Sequence, residues 1–158
     1  MKMRKTLVAL LALICILTSV CTLGTFAEST NQVYAETDAS AEQGSGRYAY
    51  IYLDDLTDLA SLTVAVHYDP DKVSVTDSYN QVGCTLYDSS NTDGCLQYSY
   101  IFDGEGSNTK TKLFYFYYQI KENAPVGESY FDIVVSDAYT AELETVNISG
   151  SRCRFNIT

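Results

Sequence analysis

The stretch Leu62-Thr-Val-Ala-Val-His-Tyr68 decides the fold. Its bulky apolar residues recur at every second position, so Leu62, Val64, Val66 and Tyr68 share one face and Thr63, Ala65 and His67 the other. A period of two is the signature of a half-buried β-strand. Asp69-Pro70-Asp71 turns the chain, and Val73-Ser-Val75 resumes the alternation. Upstream, Tyr48-Ala-Tyr-Ile-Tyr-Leu53 places Ala49, Ile51 and Leu53 opposite three tyrosines. Downstream, further strands are predicted over 83–87, 96–102, 112–121, 128–135, 143–148 and 152–157. Asp93-Gly94, Asp103-Gly-Glu-Gly106 and Ala124-Pro-Val-Gly127 punctuate them. No stretch carries a helical repeat or a solenoid period. The expectation is an all-β chain: one domain, a nine-stranded β-sandwich with jelly-roll topology.

The chain has 158 residues, enough for one core. Lys2, Arg4 and Lys5, the apolar run Thr6-Leu-Val-Ala-Leu-Leu-Ala-Leu-Ile-Cys-Ile-Leu17 and the small-residue site Thr25-Phe-Ala27 have the layout of a secretory signal peptide. Val33-Tyr-Ala35 offers a second cleavage point. The apolar run is shorter than the ~20 residues of a membrane span, so the expected product is extracellular and has no span once the signal is removed. The division read from the sequence is a signal over 1–27, a flexible polar leader over 28–46 and the folded domain over 47–158. Removing 1–27 takes away three positive charges and leaves seven basic against twenty acidic residues, a net of −13. Nucleic acid and anionic membrane are poor partners for such a surface.

Export places the remaining cysteines, Cys84, Cys95 and Cys153, in an oxidising setting. Cys84 and Cys95 flank a segment rich in turn formers. If that segment is a hairpin, the two sulfurs face each other, and a disulfide there would stabilise by about 3 kcal/mol. The alternative is three reduced thiols packed as small hydrophobes. A zinc site is not expected, because there is no Cys-x-x-Cys and His67 is the sole histidine. Catalysis has little support either: no Gly-x-Ser-x-Gly elbow exists, and any histidine-dependent triad would have to use His67.

Three segments, in order, resemble a cohesin, the receptor module of cellulosome scaffolding proteins. They are Leu59-Ala-Ser-Leu-Thr-Val-Ala-Val-His-Tyr-Asp-Pro-Asp-Lys-Val-Ser-Val75, Leu113-Phe-Tyr-Phe-Tyr-Tyr-Gln-Ile-Lys-Glu-Asn-Ala-Pro-Val-Gly127 and Ser136-Asp-Ala-Tyr-Thr-Ala-Glu-Leu-Glu-Thr-Val-Asn147. The resemblance covers 47–158 and implies a nine-stranded jelly roll that binds a dockerin, a small calcium-loaded helical module. The calcium would belong to the dockerin, so no cofactor is expected here. Cohesins usually open with an extra strand and a Gly-Asp turn before the strand at Tyr48, a position occupied here by the polar leader, so that edge strand is expected to be missing or irregular. The resemblance places the partner on the sheet built from Ser61–Tyr68, Cys84–Tyr87, Leu96–Phe102 and the strand around Tyr130–Val135. The proposed bridge would then join adjacent strands. The family often has Asn-x-Asp where this chain has Ser61 and Thr63. Beside them, His67, then Tyr98, Tyr100 and Phe102 as outward aromatics with Asp103 at the strand end, and Glu142 and Glu144 near the family's acidic loop, complete the expected partner-binding set; a one-residue change of register would instead make the three aromatics core. Thr145 stands where the family often has a glutamate.

A second reading is a carbohydrate-binding module whose tyrosines stack on sugar rings. The Tyr48, Tyr50, Tyr52 row and the Tyr115, Tyr117 pair either pack between the sheets or under the leader, or form a second exposed aromatic surface. A linear row of exposed ring faces would favour a polysaccharide ligand; a flat face of mixed aromatic and polar groups would favour a protein.

Overall fold

The computed structural model describes residues 31–103, 106 and 108–158. The apolar N-terminal run and its Thr25-Phe-Ala27 site lie outside the described residues. Eleven strands form two sheets. In chain order they are β1 (Gln32–Glu36), β2 (Ser40–Ala41), β3 (Gly46–Leu53), β4 (Ser61–His67), β5 (Val73–Asn80), β6 (Leu86–Thr92), β7 (Cys95–Ile101), β8 (Thr111–Ile120), β9 (Gly127–Tyr139), β10 (Ser149–Gly150) and β11 (Arg152–Ile157). One sheet runs β10-β1-β3-β8-β5, the other β2-β11-β9-β4-β7-β6. This is the expected all-β sandwich, with nine strands of five residues or more and two of two residues.

The core follows the alternation. Ala49, Ile51 and Leu53 of β3, and Phe114, Phe116, Tyr118 and Ile120 of β8, point inward from the first sheet. Leu62, Val64 and Val66 of β4, with Phe131 and Ile133 of β9, answer from the second. Aromatic rings bridge the gap: Tyr98 stacks on Phe114 at 4.2 Å, and Phe116 meets Phe131 edge-on at 5.2 Å. Such pairs add to the apolar burial itself.

The polar leader is ordered where the structure describes it. Val33 is fully buried, β1 pairs antiparallel with β3, and β2 pairs parallel with β11. A strand therefore does precede Tyr48, further upstream than the sequence suggests. The segment looks disordered because only Val33 and Ala41 are fully inward, while its order comes from backbone pairing and from side-chain bonds at the sandwich rim. Asn31 Nδ2 donates to Asp55 O at 2.6 Å, the Asp55 amide donates back to Asn31 Oδ1 at 3.0 Å, and Thr37 Oγ1 lies 2.9 Å from Tyr118 Oη.

Two further boundaries move. The segment 86–92 is the strand β6 rather than a loop, closed to β7 by a two-residue turn at Asp93-Gly94, where Gly94 takes φ +85°. It sits at a sheet edge and every residue in it is exposed, so it carries no alternating pattern to read. Conversely, 143–148 is not a strand; only Thr145 makes an isolated bridge, to Tyr139.

Two expected outcomes follow from this packing. A chain trimmed to begin at Glu36 loses β1 and should melt at lower urea than one beginning at Glu28. Val33→Ala alone should cost about 2 kcal/mol, and an unchanged urea midpoint in both would show β1 to be dispensable. Burial pushes the hydroxyls of Tyr98, Tyr100 and Tyr118 above the ordinary tyrosine range. In the unfolded chain the same groups release their protons near pH ~10. The unfolded state then binds fewer protons than the folded one, so stability is full below that pH and falls as pH rises above it. A spectrophotometric titration should show these buried phenols ionising only together with loss of the β-sheet circular dichroism signal.

Candidate binding face

Strand register sets out the outer face of the second sheet as cross-strand rows. The first is Leu86, Ile101, Ser61 and Tyr139; the second Asp88, Ser99, Thr63 and Ser136. The third is Ser90, Gln97, Ala65 and Val134, and the fourth Thr92, Cys95, His67, Asp132 and Arg152. Short side chains prevail in the two middle rows, Gln97 and the exposed Val134 being the longest, and no ring stands there, so the face is nearly flat. Thr63 Oγ1 donates to Ser99 Oγ at 3.1 Å and lies down along the sheet.

The two ends of the face differ in chemistry. At one end Leu86 and Ile101 form an exposed apolar pair, 62% and 50% accessible. At the far side of the same row, beyond Tyr139, the chain after β9 turns back in a tight loop. The Thr140 amide donates to Glu144 O, the Leu143 amide to Thr140 O, and the Glu144 amide to Thr140 Oγ1. At its tip Leu143 is 82% exposed and holds φ +64°. A leucine in the left-handed region is costly, and an exposed one contributes nothing to the core.

The other end is charged. Arg152 forks onto Asp132, Nε to Oδ1 and Nη2 to Oδ2, both at 3.1 Å, and its guanidinium lies 4.4 Å from the Tyr130 ring centre. The Arg152 bond holds the Asp132 carboxyl below the ordinary carboxylate range. Arg154 reaches Glu128 at 3.6 Å.

Of the sequence-predicted residues, Ser61, Thr63 and His67 lie on this face. Ser61 Oγ donates to Asp137 O at 3.0 Å, across a β9 bulge where Asp137 takes φ +53°. Asp103 is exposed just beyond β7, and Glu142 and Glu144 are exposed in the loop that carries Leu143. Tyr98, Tyr100 and Phe102 are corrected: they are buried and point into the sandwich, while Gln97, Ser99 and Ile101 face outward. A one-residue register change moves a whole strand between faces, and Tyr hydroxyls hide the inward choice. Here Tyr98 Oη donates to Ser78 Oγ at 3.0 Å and Tyr100 Oη to Leu113 O at 3.3 Å, so both are paired. Leu86, Ile101, Val134 and Leu143 were missed; for Ile101 and Val134 the signal available was an apolar residue at the outward phase of an alternating strand, whereas Leu86 and Leu143 stand in segments with no alternation.

The disulfide is also corrected. Cys84, Cys95 and Cys153, the three cysteines among the described residues, are free. Cys95 sits opposite Thr92 at the turn, whereas Cys84 lies beyond the Leu86–Ile101 pair at the far end of β7. Six residues of strand separate those ends by roughly 20 Å, and a bridge needs Cα atoms within about 7 Å.

The sheet order, the flat face and the looped leucine can be set against known proteins. No protein-family model matches the chain, and no curated protein matches it in sequence. Solved structures do match. The seventh ScaB type I cohesin of Pseudobacteroides cellulosolvens superposes with TM-score 0.69 at 8% identity, covering 82% of this chain and 92% of that one. The fold is that of the cohesin modules. A non-cellulosomal cohesin from the archaeon Archaeoglobus fulgidus matches with TM-score 0.68, 16% identity and coverage of 82% and 92%. The sixth cohesin of Acetivibrio cellulolyticus scaffoldin B, solved in complex with a dockerin, matches with TM-score 0.65, 16% identity and coverage of 82% and 100%.

The register of this cohesin fold gives a direct check on the thiols. Denatured without reductant, the chain lacking 1–27 should titrate as three thiols, Cys84, Cys95 and Cys153. A Cys84→Ser, Cys95→Ser variant should melt with the parent; a mass two hydrogens short, or a clear loss of stability, would restore the bridge.

Proposed function

We propose that this chain is a secreted, non-catalytic receptor module that binds dockerin-bearing enzymes in the extracellular breakdown of polysaccharides. The observation that carries the reading is the flat outer face of β6-β7-β4-β9, with Leu86, Ile101 and Leu143 at one end and the Arg152–Asp132 pair at the other. Exposed apolar anchors surrounded by polar groups are the composition of a protein-docking surface. Structures of the same fold solved with a dockerin support the choice of partner. Ser61, Thr63, His67, Asp103, Glu142 and Glu144 form the polar surround. The missing Asn-x-Asp at Ser61 and Thr63 means that a dockerin read through that carboxylate would bind differently here.

Calcium in such a complex would be the dockerin's. Among the described residues no three His, Cys, Asp or Glu side chains are placed to hold a metal ion. Two shallow clefts, of about 290 Å³ beside Asp137 and about 220 Å³ beside Asp93, each bring one carboxylate, whereas glycoside hydrolysis ordinarily uses a pair. The signal over 1–27 supports secretion. Cleavage there, rather than after Ala35, leaves β1 and the buried Val33 in place.

The test is titration calorimetry of the folded chain against a panel of dockerins from a fibre-degrading secretome, in calcium and in chelator. Calcium-dependent binding to at least one dockerin is the expected result; none across the panel would reject the reading. Leu143→Gly relieves the left-handed backbone, so it should hold or raise stability by about 1 kcal/mol while lowering dockerin affinity ~10-fold or more. Stability and affinity lost together would make Leu143 a structural residue.

A further inference from the structure

The outer face of the first sheet is a separate surface, on the far side of the sandwich from the docking face. Register sorts its side chains into three rows: Tyr34, Tyr52 and Lys112; Glu36, Tyr50, Tyr115 and Tyr79; Tyr48, Tyr117 and Asp77. These tyrosines are neither between the sheets nor beneath a leader. They pave the outside, with Tyr48 and Tyr79 48% and 47% exposed.

The rings are held in place. Tyr115 stacks on Tyr79 at 5.0 Å, and Tyr48 stands at 63° to Tyr117 with centres 5.2 Å apart. Lys112 Nζ sits 4.4 Å from the Tyr50 ring centre, and Lys110 Nζ 4.0 Å from that of Tyr52. Gly46 explains the pose of Tyr117. A Cβ at residue 46 would overlap the Tyr117 hydroxyl and ring, so the missing side chain lets that ring lie across β3. Tyr117 is then the floor and Tyr48 the wall of an aromatic corner. Tyr79, on the edge strand β5, has one face against Tyr115 and nothing from a further strand on the other.

We infer that this tyrosine-paved face binds the uncharged chain of a neutral polysaccharide. Sugar rings offer apolar C–H faces and a rim of hydroxyls, and an aromatic corner with phenolic hydroxyls presents the complement of both. Tyr48 and Tyr79 both touch Tyr115, at 5.9 and 5.0 Å, so a few sugar units span them. Charge selects this occupant over others. Lys110 and Lys112 balance Glu36 and Asp77 on the face, and Lys110 pairs with Glu36 at 2.5 Å. The chain as a whole is strongly acidic. An acidic polymer or a second copy of the chain would meet that repulsion; a neutral polymer does not. Fixed rings also bind with little ordering cost.

The experiment is native affinity electrophoresis of the chain lacking 1–27 through gels containing mixed-linkage β-glucan, xylan or hydroxyethylcellulose, with polygalacturonate as the acidic control. Retardation by a neutral polymer and not by polygalacturonate is expected. It should weaken ~10-fold in Tyr48→Ala, in Tyr79→Ala and in Gly46→Ala, which lifts Tyr117 without removing a ring. Dockerin binding by the same variants should be unchanged, which separates this face from the docking face. Absence of retardation in every neutral gel overturns the inference, as does retardation that survives a Tyr48→Ala, Tyr79→Ala double variant. Concentration-dependent dimers in sedimentation, abolished by Tyr48→Ala and unaccompanied by retardation, would overturn it in favour of self-association.

Discussion

The aromatic layer between the sheets is the constraint from which the rest follows. Tyr98 on Phe114, Phe116 on Phe131 and Tyr118 on Phe155 tie one sheet to the other through rings rather than aliphatic chains. Three of the most deeply buried residues are tyrosines, and a tyrosine can be buried only if its hydroxyl finds a partner. Ser78, the Leu113 carbonyl and Thr37 supply those partners. They lie on β5, at the start of β8 and just past β1, so the hydroxyls that satisfy the core also fasten parts of the first sheet to it. Among the described residues no buried side-chain polar atom is left without a partner.

The legibility of the sequence follows the same division. Where one face of a strand is apolar and the other polar, as in β3 and β4, the strand and its inward residues could be read directly. Tyrosine breaks that code because it serves equally inside and outside. Tyr98 and Tyr100 are core, whereas Tyr48 and Tyr79, in comparable surroundings of sequence, are not. The binding face could be read as a sheet but not as a set of side chains, since the phase of β7 was reversed. Edge strands were the second blind spot. β6 buries no residue fully, its one inward ring, Tyr87, staying half exposed against Tyr98, and β1 has Val33 and little else. Both exist because a neighbouring strand offers backbone groups, which leaves no mark on composition.

The two outer faces of this small sandwich are built differently. On the outer face of β6-β7-β4-β9, low relief comes from the serine, threonine and alanine that prevail in the middle rows, and the exposed apolar residues gather toward one end. On the opposite side, relief comes from rings propped against one another. Because the two sheets lie back to back about 10 Å apart, neither surface occludes the other. A receptor that grips an enzyme with one face while resting on its substrate with the other would bring the two together without a linker.

The pairing of β1 and β2 has a kinetic meaning. Gln32 sits beside Ser149 and Ser40 beside Asn156, both in parallel. The first described strands therefore close each sheet against strands made more than a hundred residues later. Such distant pairings make folding slow and leave little to form early. A growing or threading chain holding everything up to β9 still lacks the strand that covers Phe131 and the partner that seats Val33, so it stays open. Completion waits for β10 and β11, so the two sheets close late and together.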